Sequence, residues 1–101
     1  MSFQESIGSG EKTADAVIVA EKCWITAIEV ITNGSADARV ILYDNASAAS
    51  GDVIWESTVV GADGYGGKNW FFPRVCNHGI YADVNGTGAT YIIEYILTPE
   101  R

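Results

Sequence analysis

The stretch that decides the fold is residues 23–44, which read CWITAIEVIT-NG-SAD-ARVILYD. Residues 23–32 and 38–44 are rich in β-branched and aromatic side chains, which favour strands. Between them, Asn33 and Gly34 tolerate the positive φ of a tight reversal, and Asn-Gly is the strongest short-range hairpin signal. The sequence therefore predicts two antiparallel strands joined by a turn.

The first of these strands is apolar on both faces. Strict alternation puts Trp24, Thr26, Ile28 and Val30 on one face, and Cys23, Ile25, Ala27, Glu29 and Ile31 on the other. A strand in which apolar and polar residues alternate packs one face against the core and exposes the other face to water. This pattern predicts a strand at the centre of a sheet, or one whose second face meets a partner.

Similar segments continue in both directions along the chain. They predict strands over 16–20, 52–60, 68–75, 79–84 and 89–98. Pro73 demotes the 68–75 segment to an edge or irregular strand. No helical period lies between the strands, which excludes a βαβ architecture. The spacing of about ten residues predicts one all-β domain, a β-sandwich or jelly roll of about seven to eight antiparallel strands.

The domain is expected to span residues 15–101, after a polar N-terminal arm over 1–14 that is loose in the free monomer. The start of the chain has no basic and apolar segments of a secretory signal, and no stretch approaches the roughly 20 apolar residues of a membrane helix. We therefore expect a soluble protein made in a cytoplasm. Three Asn-x-Ser/Thr triplets, at 33–35, 45–47 and 85–87, are read as turns.

The charge balance argues against two classes of partner. Six Lys/Arg against thirteen Asp/Glu give a formal charge of −7. Such a chain repels phosphate backbones and anionic lipid, which disfavours nucleic-acid and membrane binding.

The apolar content points instead to protein partners. Hydrophobic residues make up 48% of a chain of 101 residues, which is more than a thin core needs. The surplus predicts burial against a second copy or another protein. The candidate interface takes its residues from the strands at 23–32 and 89–98: Trp24, Ile28, Val30, Tyr91, Ile93 and Tyr95.

The sequence does not contain a complete set of residues for a nucleophilic catalytic site or for a metal-binding site. A disulfide between Cys23 and Cys76 and a pair of free buried thiols both fit, and a reducing compartment favours the thiols. The lone His78 lacks a positioned nucleophile and an orienting acid. Carboxylates near predicted turns have no calcium-loop spacing, and solubility and capping explain them: Asp37, Asp44, Asp52, Asp63 and Asp83. We expect no catalytic residue, metal or cofactor.

Two further motifs bear on ligand binding. The glycine-rich segment 61–67 precedes Lys68 but lacks the first glycine and the hydroxyl of a phosphate-binding loop, so a plain loop is predicted. The aromatic residues Trp55, Tyr65, Trp70, Phe71 and Phe72 form a sugar platform only if their rings are exposed. Aromatic side chains in strands more often fill a core or a subunit interface.

Two longer segments carry a family resemblance: ILYDNASAASGDVIWE (41–56) and GIYADVNGTGATYIIEY (79–95). The order of strand, Leu-Tyr-Asp, small-residue loop and strand, followed by Gly-Ile-Tyr-x-Asp-Val-x-Gly-Thr-Gly-Ala-Thr, resembles small β-sandwich structural proteins of tailed phages. The resemblance spans residues 23–97, and the aromatic stretch 70–73 does not match it.

The resemblance implies a non-enzymatic virion protein. It implies a capsid decoration (cement) protein with a jelly-roll-like fold, a homotrimer that clamps the head shell through the major capsid protein. It would be made in the bacterial host cytoplasm and reside in the virion. A tail- or fibre-associated protein is the nearest alternative. A carbohydrate-binding β-sandwich module with a glycan partner is the alternative from another class.

Overall fold

The structure is a computed structural model, and it describes residues 7–59, 61, 64–85 and 88–97. These residues form eight strands and no helix. In chain order the strands are β1 (Ile7–Gly8), β2 (Ala16–Val19), β3 (Cys23–Ile31), β4 (Ala38–Tyr43), β5 (Val53–Val59), β6 (Tyr65–Cys76), β7 (Ile80–Asn85) and β8 (Thr90–Ile96). The predicted all-β class is confirmed, and none of the described residues belongs to a helix that could cross a membrane.

The strands form two four-stranded sheets, in the orders β1-β8-β3-β6 and β2-β7-β4-β5. β1 pairs with β8, β2 with β7, β3 with β6 and β4 with β5, and every pair is antiparallel. The chain is therefore one long hairpin that closes between β4 and β5. It is rolled up so that β3 also pairs with β8, and β4 with β7. This winding is a jelly roll, one of the two all-β architectures that the sequence predicts. The predicted hairpin over residues 23–44 is wrong, because β3 and β4 lie in different sheets and do not pair. The turn at Asn33 and Gly34 therefore takes the chain from one sheet to the other, a distinction that the local turn signal does not make.

The core lies between the two sheets, where strand alternation directs apolar side chains inward. Leu42 of β4 is the register partner of Ala82 in the adjacent strand β7, and both are fully buried, as are Val40 of β4 and Ile80 of β7. Tyr91 and Ile93 of β8 fill the core from the other sheet. Within each of these three strands the buried residues are two positions apart, because the ladders run without interruption through them.

The predicted faces of β3 are wrong beyond Ile25. The buried residues are Cys23 and Ile25, and then Ile28 and Val30, so the inward face changes from odd to even positions. The cause is a bulge between Ile25 and Ala27 in both ladders of β3, where Thr26 is an extra residue. One extra residue turns every later side chain to the opposite face, and a repeating apolar pattern does not reveal it.

The N-terminal segment also differs from the expectation. Over residues 7–12 the chain runs along β8: Ser9 N–H donates to Ile93 O at 2.8 Å, and Lys12 and Tyr91 exchange two bonds of 2.9 Å. This part of the predicted arm is paired rather than loose, and residues 1–6 lie outside the described residues. Backbone pairing needs no apolar side chains, so the polar composition of the segment gave no sign of it.

The first two Asn-x-Ser triplets are turns, as predicted. The Asn33 side-chain oxygen accepts the N–H groups of Ser35 and Ala36, each at 3.0 Å. The Asn45 side chain holds the next loop in the same manner, by accepting the N–H groups two and three residues further on. Residues 86 and 87 of the third triplet lie outside the described residues.

Candidate functional site

The six residues of the predicted interface do not form a surface. Ile28, Val30, Tyr91 and Ile93 are at most 3% exposed, because they fill the space between the two sheets. A partner cannot contact them in the folded domain, which corrects that part of the expectation. Trp24 and Tyr95 are half-buried, and Tyr95 packs against the core. An interface must therefore be sought elsewhere.

The two cysteines lie opposite each other in neighbouring strands. Cys23 of β3 and Cys76 of β6 are register partners, both are free thiols, and neither is exposed. The hydrogen bond to Cys76, together with burial, raises the pKa of Cys23 well above its ordinary value. A protonated thiol without access to solvent is not a nucleophile for an external substrate. The pair therefore fills the core.

The carboxylate of Asp44 and the ring of His78 are adjacent, with 3.6 Å between an Oδ1 and Nδ1. The carboxylate, however, already accepts three backbone N–H groups from the connection between β6 and β7. These are Asn77 N at 3.0 Å, His78 N at 2.7 Å and Gly79 N at 3.3 Å. Asp44 therefore holds a loop in place, and this geometry gives His78 no reacting partner.

The other predicted acidic positions are separated in the fold. Asp37 accepts the Gly61 N–H at 2.8 Å, and Asp83 lies on β7. The backbone of Asp52 is next to Asp44, whose N–H donates to Asp52 O at 2.8 Å. Asp63 lies outside the described residues. Within the described part of the chain, no three His, Cys, Asp or Glu side chains are grouped so as to hold a metal ion.

Strand β6 contains an insertion that the rest of the fold lacks. Ile25 of β3 pairs with Arg74, and Ala27 of β3 pairs with Asn69. A single β3 residue separates the first pair from the second, whereas four residues of β6, 70–73, separate their partners. We call these four residues, Trp-Phe-Phe-Pro, the aromatic excursion. It is tolerated because β6 is the edge of its sheet, so no further strand must match it.

The aromatic excursion exposes two large apolar side chains. Phe71 is 90% exposed and Phe72 is 80% exposed, and their rings meet edge to face with centroids 4.9 Å apart. Trp70, by contrast, packs against the core. Surface patches of large apolar side chains commonly mark interaction sites. Trp55 is also half-buried, so only part of the predicted sugar platform is exposed.

The stretch of sequence that contains the excursion carries a net positive charge, whereas the whole chain carries a net negative charge. Residues 64–82 contain none of the thirteen acidic residues, yet they include Lys68 and Arg74, which flank the excursion. The Lys68 ammonium lies 5.5 Å from the centre of the Trp70 ring, and the Arg74 guanidinium donates to Ile54 O at 2.9 Å. Lys68 is therefore held against the half-buried Trp70, and Arg74 is held against β5.

An open groove of about 390 Å³ lies next to the excursion, on the solvent side of β8, β3 and β6. Ala27, Gly67 and Ile92 supply apolar lining, Glu29 and Glu94 supply two exposed carboxylates, and Lys68 also lines the groove. A side chain at Gly67 would fill part of this space, but its Cβ would overlap the backbone oxygen of Ile28. The backbone contact therefore requires glycine, and glycine keeps the groove open.

Comparison with known proteins found no matching family model, no matching curated protein and no matching solved structure. The site must be interpreted from its own residues. They provide a sheet edge with two exposed phenylalanines and Arg74, beside a groove that is lined by Glu29, Glu94 and Lys68. This arrangement suits protein contact, because aromatic and Arg side chains contribute most to protein interfaces.

The sequence analysis identified Phe71 and Phe72 as aromatic but placed the interface on other strands. The missing information was the insertion opposite Thr26, because only the register reveals which rings leave the sheet. One signal was available: the acidic residues cease between 64 and 82, where the chain is most aromatic.

Proposed function

We propose that this protein is a non-enzymatic structural component of a tailed-phage virion. Within the particle, we propose that it decorates the capsid as a homotrimer and contacts the major capsid protein. The proposal rests on the resemblance of residues 23–97 to such proteins, and the jelly-roll fold is compatible with it.

The observation that carries the binding role is the pair of exposed phenylalanines on β6. Two rings with 90% and 80% of their surface in water are costly unless a partner covers them. Their position on a sheet edge, away from the filled core, leaves them free to enter another protein without unfolding this one. A small acidic chain stays soluble before assembly, and binding to the shell then adds stability by mass action.

Immunogold electron microscopy of particles from the bacterial host tests this proposal, with an antibody raised against the purified chain. Label distributed over the head shell is the expected result. Label confined to the tail or fibres would reject the decoration role and favour the tail-associated alternative. Particles without any label would reject the virion role altogether.

A carbohydrate-binding module is the second candidate, and one residue favours it. Tyr65 is 72% exposed and lines the groove together with Asn69 and Glu29, which offer hydrogen-bonding groups. Against it, the Phe71 and Phe72 rings are inclined by 80°, which gives no flat platform for a sugar ring. Glycan-array binding that Tyr65→Ala abolishes would establish this function, and an array without signal would dismiss it.

A further inference from the structure

We infer that the aromatic excursion of one copy of this chain docks into the outer groove of a second copy. The occupant is identified by complementarity between two surfaces of the same molecule. The excursion presents two phenylalanines followed by Arg74, whereas the groove presents an apolar floor beside Glu29 and Glu94, with Lys68 in its lining. The apolar surfaces match one another, and the charge of Arg74 is opposite to that of the two carboxylates.

The apolar match begins at the floor of the groove. Ala27 and Gly67 leave room there, and Ile92 supplies an apolar wall. A phenylalanine ring that enters this space exchanges water for carbon contacts, while the edge-to-face partner ring covers the opening. The width of the groove is fixed, because Gly67 cannot accept a side chain and the strands on both sides are hydrogen bonded.

The charge match follows from the placement of the cations. Glu29 and Glu94 are both exposed and lie diagonally across the β3–β8 ladder, so their carboxylates reinforce one another as an anionic site. Arg74, which directly follows the excursion in sequence, would reach such a site once the rings are seated, whereas Lys68 lines the groove itself. A second copy is favoured over an unrelated acidic protein, because both halves of the contact are then supplied by one sequence.

Protection of the sheet edge is the competing explanation for the irregular strand. A bulge, a proline and a lysine do prevent edge-to-edge pairing of strands. They do so equally well without apolar side chains, so edge protection accounts for Lys68, Pro73 and the insertion but not for two exposed phenylalanines. Docking accounts for all of these features together.

The contact joins two different surfaces, so it can close only as a ring or as a twofold exchange. The ring form supplies the interface of the homotrimer in the proposed function, and the inference rests on that proposal only for the number of copies. Because the excursion and the groove are both attached to β6, the contact also fixes how neighbouring copies are oriented.

Size-exclusion chromatography with light scattering, together with complementation between two variants, tests the inference. The excursion variant is Phe71→Ser/Phe72→Ser, and the groove variant is Glu29→Lys/Glu94→Lys. We expect the unmodified chain to self-associate, and each variant to weaken its own association at least about tenfold. Val17→Ser is the matched control, because Val17 is 44% exposed on the other sheet and should change nothing.

Mixing the two variants gives the decisive result. The excursion variant keeps an intact groove, and the groove variant keeps an intact excursion. The mixture should therefore form mixed pairs through one intact contact, at a concentration at which each variant alone is monomeric. Far-UV circular dichroism and melting curves verify that both variants fold. A monomeric unmodified chain, unchanged association of either folded variant, or a mixture that stays monomeric would each overturn the inference.

Failure of the docking contact and failure of the proposed virion role give different experimental results. A chain that decorates particles but does not self-associate would reject the docking contact and leave the virion role intact. A chain that associates through this contact but labels no particle would do the reverse.

Discussion

Strand β3 has two neighbours, and they accommodate the same bulge in different ways. Against β8, on the inner side of the sheet, the ladder absorbs Thr26 by a shift of one residue and continues from Ala27. Against β6, on the edge, four residues stand where β3 has one. The inner neighbour must keep its side chains aligned with the core, whereas nothing lies beyond the edge to enforce alignment. The buried core and the proposed contact with other molecules therefore lie on opposite sides of one strand.

The largest effect is expected on the β8 side. Ile93→Ala removes a fully buried side chain opposite Ile28, and its cavity should lower the free energy of unfolding by about 3 kcal/mol. Ile92→Ala is the matched control, since the neighbouring residue faces outward and is half-buried. Urea denaturation measures both. Equal losses would contradict the face assignment of β8.

The next effect is a loss of stability at high pH, also on the β8 side. Burial, with a smaller contribution from Asp15, raises the pKa of Tyr91 to about 12, and its hydroxyl donates to Ala14 O at 2.7 Å. Between pH 10 and 12 the unfolded phenol ionises while the folded one stays protonated. Stability should therefore fall by about 2 to 3 kcal/mol as the pH rises through this interval.

Tyr91→Phe should remove that part of the pH dependence, because it has no proton to lose. The measurement is urea denaturation of both chains at several pH values, and the relevant quantity is the difference between the two curves. Parallel curves from pH 9 to 12 would show that Tyr91 ionises equally well in both states.

A smaller loss of unfolding free energy is expected at the connection between β6 and β7. Asp44→Ala leaves three N–H groups of the 77–79 connection without their acceptor and should cost about 2 kcal/mol. Asp52→Ala, an exposed acidic residue nearby in sequence, should change the thermal midpoint little. If the two substitutions were equivalent, the connection would not depend on the carboxylate.

The smallest effect on stability belongs to the edge side. Phe71→Ser/Phe72→Ser should change the unfolding free energy by less than about 0.5 kcal/mol, because both rings are already in water. Urea denaturation at a concentration that keeps the chain monomeric is the measurement. A loss comparable to that of Ile93→Ala would mean that the excursion belongs to the core, and the comparison between the two sides would fail.

The sequence predicted the fold better than it predicted the interface. Strand positions and the inward faces of β4, β7 and β8 follow from local composition and alternation, and both are visible in the chain. The faces of β3 and the exposure of Phe71 depend on the register between strands that are distant in sequence. Apolar residues were therefore assigned to a partner surface when Ile28 and Ile93 in fact pack within the core.

The pairing of the N-terminal segment with β8 has a mechanical consequence. Ile7 lies opposite Tyr95, so the chain enters and leaves the sandwich at the same end of one ladder. A force applied through these two positions loads the bonds of Ser9 and then of Lys12 in succession, as in opening a zipper, rather than all at once. The domain should therefore peel from this edge at low force, with the Tyr91 hydroxyl bond to Ala14 as a later point of resistance.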